Sequence, residues 1–94
     1  MPTLTKPQAV HALFKTRGRI FSATVRKRSN GELRNLNARL YRRKDDQEAY
    51  DTERLQVTVI DMQATRRERA KRYRTIALER VQRLACDGSV YDVV

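Results

Sequence analysis

The sequence predicts a mainly β domain with a short N-terminal helix. Two turn signatures carry most of that prediction, Asn30-Gly31 and Asp87-Gly88, each lying between strand-like runs. Asn-Gly and Asp-Gly in that setting are strong hairpin signals, because a type I′ turn needs positive φ at both central residues. The third observation is the alternation of Leu55, Val57 and Val59 with Gln56 and Thr58, the period of a half-buried strand. A chain of 94 residues has room for one domain, here residues 1–94.

The elements follow in order. Thr5-Lys6-Pro7-Gln8 opens a helix over about residues 5–16, with Thr5 as its cap and Pro7 tolerated in the first turn. Val10, Leu13 and Phe14 form its apolar stripe, His11 lies beside that stripe as a surface or half-buried side chain, and Gly18 ends the helix. Ile20 to Lys27 and Leu33 to Tyr41 read as strands. If Asn30 and Gly31 are the two turn residues, Phe21 faces Leu40, Ala23 faces Ala38, Val25 faces Leu36 and Lys27 faces Arg34. Three apolar pairs then share one face. The opposite face sets Ser22 against Arg39, Thr24 against Asn37 and Arg26 against Asn35, with Ile20 and Tyr41 at one end.

Arg42 to Arg54 is a polar, charged connection without strong periodicity, and Tyr50 is its expected anchor to the core. Leu55 to Met62 reads as a buried third strand. The Asp87-Gly88 turn places Leu84 opposite Tyr91, Ala85 opposite Val90 and Arg83 opposite Asp92. Between them, Ala64 to Leu84 fits two templates. As a helix it has Thr65-Arg66-Arg67-Glu68 as a capping box, with Ala70, Tyr73, Ala77, Val81 and Leu84 on one side. As β, Tyr73 to Leu78 is a strand that follows a long basic loop.

Charge is partitioned. The formal net is +10, from 21 Lys and Arg against 11 Asp and Glu. Residues 15–44 carry eleven basic side chains against Glu32, and residues 64–74 carry six against Glu68; the stretch between them, 45–63, is acidic. Arginine supplies 16 of the basic residues and lysine 5. Solubility alone does not require that choice, whereas the planar guanidinium fork grips phosphate or carboxylate in two places and stacks on bases.

Several chemistries are poorly supplied. No apolar run of about 18 residues exists to span a membrane, and Met1 to Lys6 has no apolar block behind it to act as a signal peptide. One cysteine, Cys86, and one histidine make neither a disulfide framework nor a four-ligand zinc site. Gly18, Gly31 and Gly88 each serve a cap or turn and form no phosphate loop. The expectation is an intracellular, non-enzymatic protein without a cofactor.

Gly18-Arg19-Ile20-Phe21-Ser22-Ala23-Thr24-Val25 and Asn30-Gly31-Glu32-Leu33-Arg34-Asn35-Leu36-Asn37-Ala38-Arg39-Leu40 resemble small proteins of tailed bacteriophages and prophages with an SH3-like β-barrel fold. Asp61-Met62-Gln63, Tyr73 to Val81 and Asp87 to Val93 are similar to that family's later strands. The resemblance implies a small SH3-like barrel of five or six antiparallel strands over about residues 19–94, and a cytoplasmic location in a host bacterial cell. It assigns Tyr73 to Leu78 to a strand and leaves 64–72 as a basic insert that the family pattern lacks. The family carries no established catalytic residues, so the resemblance transfers none.

The function expected on these grounds is phage-type accessory binding of nucleic acid, double-stranded DNA first, with weak sequence preference. Arg66, Arg67, Arg69, Lys71 and Arg72 of the insert are the leading contacts. Arg26, Arg39, Arg42 and Arg43 join them from the first hairpin and its exit, and Asn35 and Asn37 can hydrogen-bond to sugar or base edges. A rival expectation is an inhibitor that docks this basic surface on an acidic host protein, a defence or transcription factor. RNA binding ranks third, because the aromatic residues are spread thinly and only Tyr41 sits on an outer strand face for base stacking. Unpaired strand edges make a homo-oligomer a further expectation.

Overall fold

The computed structural model describes residues 2–43, 45–63 and 72–94. In chain order the elements are β1 (Thr3–Leu4), α1 (Lys6–Lys15), β2 (Phe21–Arg26), β3 (Leu33–Leu40), α2 (Gln47–Arg54), β4 (Gln56–Asp61), β5 (Tyr73–Ala77), a 3-10 turn (Leu78–Arg80), β6 (Val81–Cys86) and β7 (Ser89–Val93). The fold is mainly β, as the sequence predicts.

Helix α1 starts where the sequence places it. Thr5 Oγ1 accepts from the Gln8 amide at 3.3 Å while Gln8 Oε1 accepts from the Thr5 amide at 2.9 Å, a reciprocal capping box. Ala9, Val10 and Leu13 are buried; Phe14 is only partly so. Beyond the last turn the chain reverses through Arg17 and Gly18, both at positive φ.

The first hairpin forms with its faces as expected, but its register is shifted by two residues. Phe21 pairs with Ala38, Ala23 with Leu36, and Val25 with Arg34. On the other face Ser22 pairs with Asn37, Thr24 with Asn35, and Arg26 with Leu33. The cause is in the turn. Only Gly31, at φ +73°, takes the left-handed conformation; Asn30 does not. Asn30 Oδ1 instead accepts from the Glu32 amide at 3.0 Å, a local side-chain bond that competes with a type I′ turn. The closing bonds run from the Lys27 amide to the Glu32 carbonyl and from the Gly31 amide to the Lys27 carbonyl, giving a four-residue loop, 28–31. An even shift keeps every side chain on its predicted face.

The last hairpin has the predicted register, from Arg83↔Asp92 to Cys86↔Ser89. Asp87 and Gly88 both hold positive φ, at 51° and 78°, as a type I′ turn requires. Residues 73–77 take the strand rather than the helix. Five pairs with β4, from Gln56↔Ala77 to Ile60↔Tyr73, set Ile76 against Val57 in the core.

The connection before β4 contains a helix that apolar periodicity does not predict. In α2 the buried residues are Gln47 and Asp51, and Gln47 Nε2 donates to Asp51 Oδ1 at 2.7 Å. A helix whose inward i, i+4 pair is polar leaves no apolar stripe for periodicity to detect. Tyr50 is not the anchor: it is 48% exposed, with the Arg54 guanidinium 4.6 Å over its ring. Leu55 is not in a strand but caps α2 at φ 53°.

The described strands form one sheet of order β1-β7-β6-β2-β3-β4-β5, antiparallel except for β1 with β7. The expected barrel of five or six strands is therefore corrected to a seven-stranded sheet with two free ends, β1 and β5. Helix α1 explains why closure is not needed. Ala9, Val10 and Leu13 enter the same core as Phe21, Leu36, Val57, Leu78 and Leu84, so a helix covers the inner face that a closed barrel would cover with its own far wall.

Candidate nucleic-acid interface

The outer face of the sheet carries the polar patch that alternation predicts. Ser22 Oγ donates to Asn37 Oδ1 at 2.7 Å and Thr24 Oγ1 donates to Asn35 Oδ1 at 3.2 Å. Both asparagines are exposed, and with their carbonyl oxygens engaged, their NH2 groups keep donor capacity towards solvent. Arg39 follows on the same face opposite Ile60. At its far end Tyr41 meets Tyr73 edge-on, with ring centroids 5.1 Å apart.

Apart from Arg39, the predicted arginines do not converge there. Arg66, Arg67, Arg69 and Lys71 lie outside the described residues. Arg72 is folded against its neighbour, its guanidinium 4.8 Å over the Tyr73 ring and its Nη2 donating to Tyr73 Oη at 2.8 Å. Arg42 Nη2 donates to the Asp45 carbonyl at 3.2 Å, and Arg43 lies towards Asp51 at the α2 side. Arg26 belongs to a different cluster.

That cluster lines a cleft of about 570 Å³. The end of β2 contributes Val25, Arg26 and Lys27; the turn adds Arg28, and β3 adds Arg34 and Leu36. From the other side come Gln56, then Arg74 to Ala77 of β5, and Arg80 of the 3-10 turn. The last β3–β4 pair on the Arg34 side is Ala38↔Asp61. Arg34 lies beyond it, while Gln56 lies at the opposite end of β4. They share a cleft because the sheet curls until β5 approaches the first hairpin, and the cleft is the seam left open.

Among the described residues, six cationic side chains line this seam and no carboxylate does. Two of them are held. Arg26 Nη1 donates to the Gly31 carbonyl at 3.0 Å. Arg74 Nε reaches Asp61 Oδ2 at 2.9 Å, and Asp61 is 1% exposed; its other oxygen accepts from the Gln63 amide at 2.9 Å. Lys27, Arg28, Arg34 and Arg80 have no such partner among the described residues. A concave wall of one charge sign concentrates field and attracts anions. The sequence shows the charge density of residues 15–44, but nothing local in it distinguishes Lys27, Arg28, Arg34, Arg74 or Arg80. Asn30-Gly31-Glu32 marks the hairpin tip, and no local signal brings Arg80 to it.

Elsewhere, ion pairs tie elements together. His11 Nδ1 lies 3.1 Å from Glu48 Oε1 across α1 and α2, with His11 exposed as expected, and Arg19 Nη2 lies 2.7 Å from Asp87. Arg83 and Asp92 face each other at 3.5 Å as predicted; exposed pairs of this kind contribute only tenths of a kcal/mol. Burial pushes the Cys86 thiol up, and the neighbouring Asp87 adds to that, so little thiolate is present near neutrality. No helix among the described residues is long and apolar enough to cross a membrane.

Burial also raises the Asp51 carboxyl, against the opposing pull of the Gln47 hydrogen bond and the Arg43 charge. The folded state therefore holds a proton that the unfolded chain releases near its ordinary value of 3.8. That contribution to stability is full below this value and is lost as pH rises through the raised folded value. Asp51→Asn is expected to melt higher than the native protein at pH 7, with the gap closing towards pH 4. Thermal scans across that range check it; a gap independent of pH would show that the carboxyl's protonation is not involved.

No family model matches the chain, and no curated protein or solved structure matches it either.

Proposed function

We propose that the protein is a non-enzymatic, phage-type accessory protein that binds nucleic acid, duplex DNA first, by gripping the phosphate backbone without strong sequence preference. The supporting observation is the seam: among the described residues, six Arg and Lys side chains share one concave wall with no carboxylate. Lys27, Arg28, Arg34 and Arg80 supply the neutralising charge. Binding is driven by release of the counterions condensed on the phosphates they displace. Asn35, Asn37 and Arg39 extend the contact across the outer face, where their donors suit sugar and phosphate oxygens. The phage context comes from the resemblance of the hairpin and closing strands.

The test is a titration of a random-sequence duplex at several ionic strengths. Four phosphate contacts should make affinity fall about a hundred-fold between about 50 and 200 mM salt. Absence of binding at the low-salt end defeats the reading. Recovery of one specific acidic protein after nuclease treatment, with no duplex binding, would support the host-protein inhibitor instead.

A further inference from the structure

The seam is bipolar, and a duplex makes use of only half of it. Its cationic rim surrounds an apolar floor of Val25, Leu36 and Ile76. Leu36 and Ile76 are 5% and 7% exposed. Gln56, Thr75 and Ala77 complete the lining. A volume of about 570 Å³ falls in the range of small-ligand sites, which are concave and mostly apolar with a few polar groups that orient the ligand. A duplex is too broad to enter such a cleft, and it keeps its bases stacked inside, so it would engage the rim alone.

We propose that the cleft takes one unpaired nucleotide, with its phosphates on the arginine rim and its base on the apolar floor; the inference rests on the nucleic-acid reading above. The ligand class follows from matching each part of the site. The guanidinium forks of Arg28, Arg34 and Arg80 suit phosphate oxygens. The aliphatic floor suits the flat face of a base. An acidic peptide satisfies the rim, but leaves the apolar floor without a partner. Along duplex DNA the protein would therefore favour gaps and frayed ends over fully paired stretches.

The experiment compares three labelled probes by fluorescence anisotropy at one salt concentration: a short oligothymidylate, an abasic strand of equal length, and a blunt duplex. The oligothymidylate is expected to bind about ten-fold tighter than the abasic strand, the scale of one seated base. Val25→Lys, which fills the floor while adding a cation, should abolish that preference and keep the salt dependence. Should that variant fail to fold, the native protein still decides the matter by NMR. Thymidine monophosphate should shift the amides of Leu36 and Ile76 as well as those of Arg28 and Arg34, whereas inorganic phosphate should shift only the latter. Equal affinity for the oligothymidylate and abasic strands, with steep salt dependence retained, overturns the base site and leaves backbone binding standing. Failure to bind any of the three probes overturns both, as does competition by polyglutamate at matched charge that equals competition by DNA.

Discussion

Replacing Lys27, Arg28 and Arg34 together with alanine is expected to weaken duplex binding roughly a hundred-fold at low salt, at about 1 kcal/mol for each charge-assisted phosphate contact. The slope of log affinity against log salt should fall by about three, since each neutralised phosphate contributes about 0.9. Thermal stability should barely change, because all three side chains are exposed and none has a carboxylate partner among the described residues. The choice of residues is what gives this test its meaning. Arg26 also lines the seam, but its Nη1 closes the turn onto the Gly31 carbonyl, so its removal would mix folding with binding. The triple variant is checked by anisotropy titration at several salt concentrations beside a melting curve. Unchanged affinity and slope would move the contact surface away from the seam.

Arg74→Met should behave in the opposite way, as a stability variant with a secondary effect on binding. Arg74 projects from β5 towards the core side and meets Asp61 at 2.9 Å, while Asp61 is 1% exposed at the end of β4. Methionine keeps much of the aliphatic stem but leaves a buried carboxylate without its counter-charge. Breaking one side of such a pair costs about 3 kcal/mol, a large part of the roughly 5–15 kcal/mol that holds a small domain together. Equilibrium urea unfolding of both chains measures it. The paired variant Arg74→Met with Asp61→Leu should recover much of the loss, since an apolar replacement of both partners removes the stranded charge. A loss below about 0.5 kcal/mol in the single variant would mean the pair is screened as a surface bridge is.

The two hairpins show what local chemistry can and cannot specify. Asp87 and Gly88 both take positive φ, and the register read from them is the register observed. Asn30-Gly31 looks like the same signal, yet Asn30 bonds to the Glu32 amide and only Gly31 turns left-handed. A dipeptide signature names the turn's place, but competing side-chain bonds decide its length. The faces are unaffected because the shift is even, so Ser22, Thr24, Asn35, Asn37 and Arg39 lie where alternation places them.

Helix α2 and the seam were hidden for a different reason. The inward pair of α2, Gln47 and Asp51, is polar, and apolar periodicity has nothing to register. Arg28, Arg34, Arg74 and Arg80 are spread over more than half the chain, and no spacing rule connects them. What joins them is the curl of the sheet and the missing pairing between β5 and the rest of a barrel.

The sequence alone determined the mainly β class, the capped N-terminal helix, the strand faces and the excess of arginine, because each depends on side-chain period, turn chemistry or composition within a few neighbouring residues. Only the tertiary structure decided that the sheet stays open and that the uncompensated charge gathers at its seam. Those are consequences of α1 covering the core and of strands distant in sequence meeting across a curl, which no local interaction encodes.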